Sequence, residues 1–213
     1  RRGGLATLPS ASDWVSRYGR EFLSNSQVGV FVLDKERGGN SNRLVGTDLR
    51  YYPTRKVNVD GMFMRSDKSG ADQGSAWRAG VQYDPGRTLY ILNYTSLGDT
   101  FRDELGFIPR QGVNILNADL LHRFRPKALA PFVREIRPEV PFVRFTRDAL
   151  NPSTRAPIGV ETQTVSPEAT VEFSDSSTAN FQINRNEEAL SAPFRPQGIP
   201  AGKSIAPGRY PFY

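Results

Sequence analysis

Val45-Gly46-Thr47-Asp48-Leu49-Arg50-Tyr51-Tyr52 and Trp77-Arg78-Ala79-Gly80-Val81-Gln82-Tyr83 decide the fold. In the first stretch Val45, Thr47, Leu49 and Tyr51 alternate with Gly46, Asp48, Arg50 and Tyr52. In the second, Trp77, Ala79, Val81 and Tyr83 alternate with Arg78, Gly80 and Gln82. Strand side chains point to opposite faces with a period of two, so each stretch has one apolar and one polar face. Val57, Val59, Gly61 and Phe63 continue the pattern opposite Asn58 and Asp60, as do Ala169, Val171, Phe173 and then Phe181, Ile183 further on.

The alternation predicts strands near 27–34, 42–52, 55–65, 75–84, 87–96, 112–124, 131–146, 156–165, 168–174 and 179–185. Between them, 34–42 and 66–74 read as long polar loops. Tyr52-Pro53-Thr54-Arg55 and Asp84-Pro85-Gly86-Arg87 read as tight turns. Long loops at one end and short turns at the other are the rhythm of a transmembrane β-barrel, and several strands have the roughly 10 residues that a tilted crossing needs. A soluble meander with one wet face gives the same alternation. The expectation is an all-β, antiparallel up-and-down meander that is part of a transmembrane β-barrel. It is divided into an N-terminal segment at 1–26 (short helix or strand plus loop), barrel hairpins at 27–186 and a proline-rich irregular segment at 187–213. The latter leads into strands missing from this sequence, so the chain reads as a fragment.

Composition excludes several chemistries. The 213 residues include no cysteine and one histidine, so thiolate sites, a cysteine nucleophile and a multi-histidine metal site fall away. His122 sits in a strand-like run and reads as a strand-face residue. No apolar run approaches a membrane-spanning helix. A mean hydropathy of −0.49 does not argue against a barrel, since only alternate residues need face lipid. The net charge is +6, but the arginines (Arg43, Arg55, Arg87, Arg123 and Arg125 among them) are dispersed among apolar residues. That distribution suits a polar lumen, or a face toward lipopolysaccharide phosphates. No nucleic-acid partner is expected; the alternative is a soluble basic β-protein that binds single strands. Tyr51, Tyr52, Trp77, Tyr83, Tyr90 and Tyr94 lie where interfacial aromatic girdles would sit.

Asp99-Thr100-Phe101-Arg102-Asp103-Glu104-Leu105-Gly106-Phe107-Ile108-Pro109-Arg110 resembles a signature of a bacterial domain-of-unknown-function family. Leu120-Leu121-His122-Arg123-Phe124-Arg125-Pro126 and the Glu188–Phe194 and Ile205–Phe212 stretches resemble it too. In that family a family-9-type carbohydrate-binding module precedes an outer-membrane barrel. The resemblance implies a bacterial outer-membrane location and a binding, uptake or scaffolding role. Outer-membrane lipid or lipopolysaccharide would be the partner, with glycan or other envelope proteins beside it. It implies no catalytic residue, metal or cofactor.

Arg102, Asp103, Glu104, Phe107 and Arg110 are the binding candidates, on a long connection. Asp48, Arg50, Arg78 and Gln82 are the lumen-facing candidates. Adjacent carboxylates can do acid–base work when their environments separate their pKa values. The alternative function is therefore a glycan-processing enzyme that uses Asp103 and Glu104. The plainer reading of those carboxylates is arginine pairs that fix a loop in the barrel mouth.

Overall fold

A computed structural model describes residues 11–23, 25–106, 108, 110–147, 159–190, 193–196, 200 and 202–213. Phe107 lies outside the described residues. The chain forms one antiparallel sheet of 14 strands. These are β1 (Ala11–Phe22), β2 (Ser26–Arg37), β3 (Asn40–Thr54), β4 (Val57–Lys68), β5 (Gly74–Tyr83), β6 (Thr88–Leu97), β7 (Val113–His122), β8 (Val133–Glu139), β9 (Phe142–Arg147), β10 (Gly159–Val165), β11 (Glu168–Phe173), β12 (Thr178–Gln182), β13 (Arg185–Leu190) and β14 (Gly208–Phe212). Among the described residues no helix is long and apolar enough to cross a membrane, which says nothing of crossing by strands.

The last strands are collinear halves. β7 pairs Ala118 with Phe142 in β9 and, in the same register, Leu121 with Glu139 in β8. β8–β9 is one pass interrupted at Val140-Pro141. β10–β11 is another, interrupted at Ser166-Pro167, and β12–β13 a third, interrupted at Ile183-Asn184. The interruptions sit side by side, with Ser166 N donating to Pro141 O and Ile183 N to Pro167 O. Proline has no N–H to give the ladder, so two adjacent prolines open the same level of the sheet without shifting its register. Counted this way, the sheet is a meander of eleven consecutive passes, and each pass neighbours the next in sequence.

Several boundaries differ from the sequence reading. The stretch 34–42 is not a long loop. β2 and β3 zip together as far as Arg37 and Asn40, and Gly38 and Gly39 make a two-residue turn with φ 57° and 82°. A type I′ turn needs positive φ at both places, which two glycines supply without strain. The turn expected at Tyr52–Arg55 lies instead at Arg55-Lys56, after a register shift between Tyr51 and Thr54 that places Pro53 where no ladder N–H is required. Residues 123–132 form a long connection at the end where short turns were expected. The segment beyond 186 is not wholly irregular: β13 runs to Leu190, and Gly208–Phe212 pairs with it.

The two faces differ sharply. On one, Val28, Val30, Val45, Leu49, Phe63, Trp77, Val81, Tyr83, Tyr90, Leu92 and Leu120 are all exposed. The pairing register puts them on a common surface across six neighbouring strands. On the other face stand Asp48, Arg50, Asp60, Arg78, Gln82 and Asn93. Among the described residues the buried hydrophobic residues are Leu44, Ala76, Phe101 and Val113. A soluble sheet of this size hides one face under a second layer; here none of the described residues covers the apolar face.

The buried cluster among the described residues lies at the far end of the polar face. There the connection 98–112 folds back over the sheet, and Phe101 packs with Leu44 and Ala76 against Phe31, Leu33, Met64, Leu97 and Ile108. A β-carbon on Gly74 would run into the backbone nitrogen of Phe101. We therefore expect Gly74→Ala to lower stability by about 1–3 kcal/mol, as overpacking does. The loss should concentrate in the loop, read as faster amide exchange at Arg102 than in β3.

Candidate functional site

The site consists of the 98–112 connection and the polar face beneath it. Phe101 is 2% exposed and anchors the connection. Around it, buried side chains of the sheet satisfy the loop backbone. Arg102 N donates to Ser66 Oγ at 2.9 Å, Asn42 Nδ2 donates to Arg102 O at 3.3 Å, and Glu104 N donates to Asn42 Oδ1 at 3.3 Å. Asn42 and Ser66 are buried polar groups whose bonding capacity the loop takes up.

From this anchor the connection reaches both ways. Lys35 Nζ on β2 donates to Glu104 O at 2.8 Å, and Lys68 on β4 pairs with the Glu104 carboxylate at 2.6 Å. In the other direction Arg110 donates to Thr162 Oγ1 at 2.6 Å, lies 3.6 Å from Glu188 on β13 and stacks over Phe145 at 4.9 Å. In a flat sheet β2 and β13 would be eight strand spacings apart, about 38 Å. Glu104 to Arg110 spans at most about 21 Å when fully extended, and its first residues are folded in a turn. The long Lys35, Arg110 and Glu188 side chains complete the reach, and the loop ties these distant strands together across the polar face, the concave side of the sheet, where Asp48 and Asp60 are half-buried while the residues of the opposite apolar face are exposed. Arg147, almost wholly buried, holds the base of the loop: its Nη1 donates to Gln111 O at 2.8 Å while its Nε donates to Glu161 at 3.0 Å.

Of the sequence candidates, Arg102, Asp103, Glu104 and Arg110 all belong to this loop, but their side chains do different things. Arg102 turns back on its own loop and donates to Asp99 O and Phe101 O. Asp103 Oδ1 accepts from Leu105 N and Gly106 N, closing the turn. Glu104 is tied to lysine. Both carboxylates thus have structural partners, and the acid–base reading finds no poised pair in them. The Lys68 hydrogen bond, helped by the charges of Lys68 and Lys35 and opposed by partial burial, holds the Glu104 carboxyl below the usual carboxylate range. A depressed folded value means that the tie is fully present above the ordinary range and is lost as pH falls through the depressed one. Acidification through the carboxylate range should lower the protection of the Arg102 and Glu104 amides, measured relative to their intrinsic exchange rates at each pH. Glu104→Gln should flatten that pH dependence.

Asp48, Arg50, Arg78 and Gln82 share the concave face, as the alternation implies. Their neighbours were less legible. Arg17 on β1 donates to Asp48 at 2.6 Å and 3.2 Å. Arg78 lies 3.4 Å from Asp60 and donates to Asn93 at 2.9 Å. The Arg17–Asp48 pair lies across Gly29, where a β-carbon would come within 2.7 Å of the carboxylate. His122 stands at the rim of the apolar face, 2.8 Å from Thr88 across the strand pair. Aromatic rings pair on the apolar face: Tyr83 and Tyr90 stack at 5.9 Å and Phe22 and Tyr51 at 6.3 Å, while Trp77 and Tyr94 meet tilted at 5.2 Å.

Comparison with protein-family models, curated proteins and solved structures finds no match for this chain.

Proposed function

We propose that this chain forms part of the wall of a bacterial outer-membrane β-barrel, with a non-enzymatic role in binding, uptake or scaffolding. The observation that carries this reading is the uncovered apolar face. From Trp77 to Tyr83, or Val45 to Tyr51, the apolar row runs six residue steps, about 20 Å along the strand and about 15 Å of height at a barrel strand's tilt. A barrel's apolar band is about 25 Å tall, so the row forms its central part. The row is bounded at one end by Asp34, Arg43 and Arg65 and at the other by Phe22, Tyr51, Tyr83 and Tyr90, in the manner of a charged rim and an aromatic girdle. Lipid or lipopolysaccharide would cover this face, and the concave face would line the lumen.

Strand arithmetic is compatible with a larger barrel. Among the described residues no pairing joins β1 to β14, and in an eleven-pass meander these two edges run parallel. Antiparallel closure, the rule for single-chain bacterial barrels, needs an odd number of further strands. An unpaired edge is intolerable in hydrocarbon. The resemblance of residues 99–110 to the barrel part of the carbohydrate-binding-module-associated family points the same way. The docked loop would then narrow the lumen and present Arg110 and the Arg78 row to whatever enters.

Fractionation tests this. The intact protein should sediment with outer membranes and resist carbonate and high-salt washes, leaving only with detergent. Release by salt alone, or full solubility without detergent, would rule the reading out.

A further inference from the structure

We infer that the concave face carries a binding cleft for a neutral polyhydroxylated solute, across β1–β5 and beside the docked loop, none of whose residues line it. The cleft holds about 450 Å³ and is lined by Arg17, Asp48, Arg50, Asn58, Asp60 and Arg78, with Phe31 and Met62 as its apolar floor. Charge along it alternates. Arg50 stands directly across from Asp60 on one side and Gln27 on the other, Glu21 lies one strand beyond Gln27, and Asp48 and Arg78 flank Met62 in the adjacent row. The lining itself carries three arginines and two aspartates, and the pairs Arg17–Asp48 and Arg78–Asp60 balance two of the three positive charges within the cleft; Glu21 lies outside it.

This balance selects the ligand's chemistry. An oxyanion would gain from the guanidinium groups but would meet two carboxylates within the same cleft. A cation would face three arginines. The Asn58 side chain adds an amide, a donor and an acceptor in one group, to the lining. A hydroxyl donates one hydrogen bond and accepts two, so a chain of hydroxyls satisfies arginine donors and carboxylate or amide acceptors side by side. Phe31 and Met62 give the C–H face of such a molecule an apolar bed. The inference rests on the concave face being open to solvent, which holds whether or not the opposite face contacts lipid.

Isothermal titration of the intact folded protein decides it, in detergent or in buffer according to its solubility. Maltotriose is the probe, and inorganic phosphate the contrasting one. Maltotriose should bind saturably, and Asn58→Ala and Asp60→Asn should each weaken it about tenfold, the size of one hydrogen bond to a polar or charged group. Thermal unfolding checks that each variant is folded, and Arg50→Gln, at an exposed position, serves where either is not. Absence of saturable maltotriose binding, binding unmoved by these variants, or phosphate binding in its place would overturn the assignment. The membrane reading stands or falls separately, by fractionation.

Discussion

Phe101→Ala should release the inner loop while leaving the sheet assembled. Truncating a fully buried phenylalanine costs about 3–5 kcal/mol when the surroundings cannot collapse into the space. Here the surroundings are stiff, because Leu44 and Ala76 sit on paired strands whose register is fixed on both sides. The loop, however, can open on its own. Once the anchor is lost, the ties left around Arg102 and Glu104 are the Lys35 and Lys68 contacts of Glu104 and the hydrogen bonds to Asn42 and Ser66, while Arg110 and Arg147 hold only the far end of the loop, and exposed ion pairs contribute little. The deficit should therefore appear as local opening and not as global unfolding. Amide exchange at Arg102, whose N–H is held by Ser66 Oγ, should rise by orders of magnitude, while exchange in the β3–β4 ladder should hardly change. Equal protection of Arg102 in the variant and the parent would mean that Phe101 does not hold the loop.

Much of this architecture was legible in the alternation and some was not, for definite reasons. Period-two patterning assigns faces strand by strand, so Asp48, Arg50, Arg78 and Gln82 could be placed together without coordinates. It is blind to partners across strands: Arg17 lies in a segment where helix and strand were equally readable, yet it supplies the guanidinium that Asp48 holds. Glycine was the chief source of error at the boundaries. Gly38-Gly39 within Asp34–Asn42 looks like a flexible loop by composition, but as a pair with positive φ it makes a two-residue turn, as tight as that at Arg55-Lys56. Proline acted in the opposite sense. Pro141 and Pro167 interrupt passes without ending them, because the neighbouring strand places its own interruption at the same level. The importance of the 99–110 stretch was visible from its clustered charges and aromatics. That Asp103 and Glu104 serve its fold was not, since the lysines and backbone amides that occupy them lie up to 69 residues away in sequence.

Leu92→Arg should destabilise the folded protein in lipid bilayers by about 2–4 kcal/mol, the cost of an arginine on the lipid face near mid-depth. Leu92 lies at the centre of the apolar row of β6, flanked across the sheet by Val81 and Ala118, and is 48% exposed. In water such a position tolerates substitution within about 0.5 kcal/mol, because a half-exposed side chain has little packing to lose and an arginine head stays hydrated. The two surroundings thus assign the same substitution effects several-fold apart. Gln82→Arg supplies the internal comparison: it places the same side chain on the concave face of the adjacent strand, where it meets solvent in either setting and should stay within about 0.5 kcal/mol. Refolding titrations in vesicles, run on both variants, give the ratio directly. A large penalty at 92 with none at 82 is the signature of a sheet with lipid on its apolar side. Equal small effects at both positions would place water on both faces and defeat the barrel reading, however well the strands alternate.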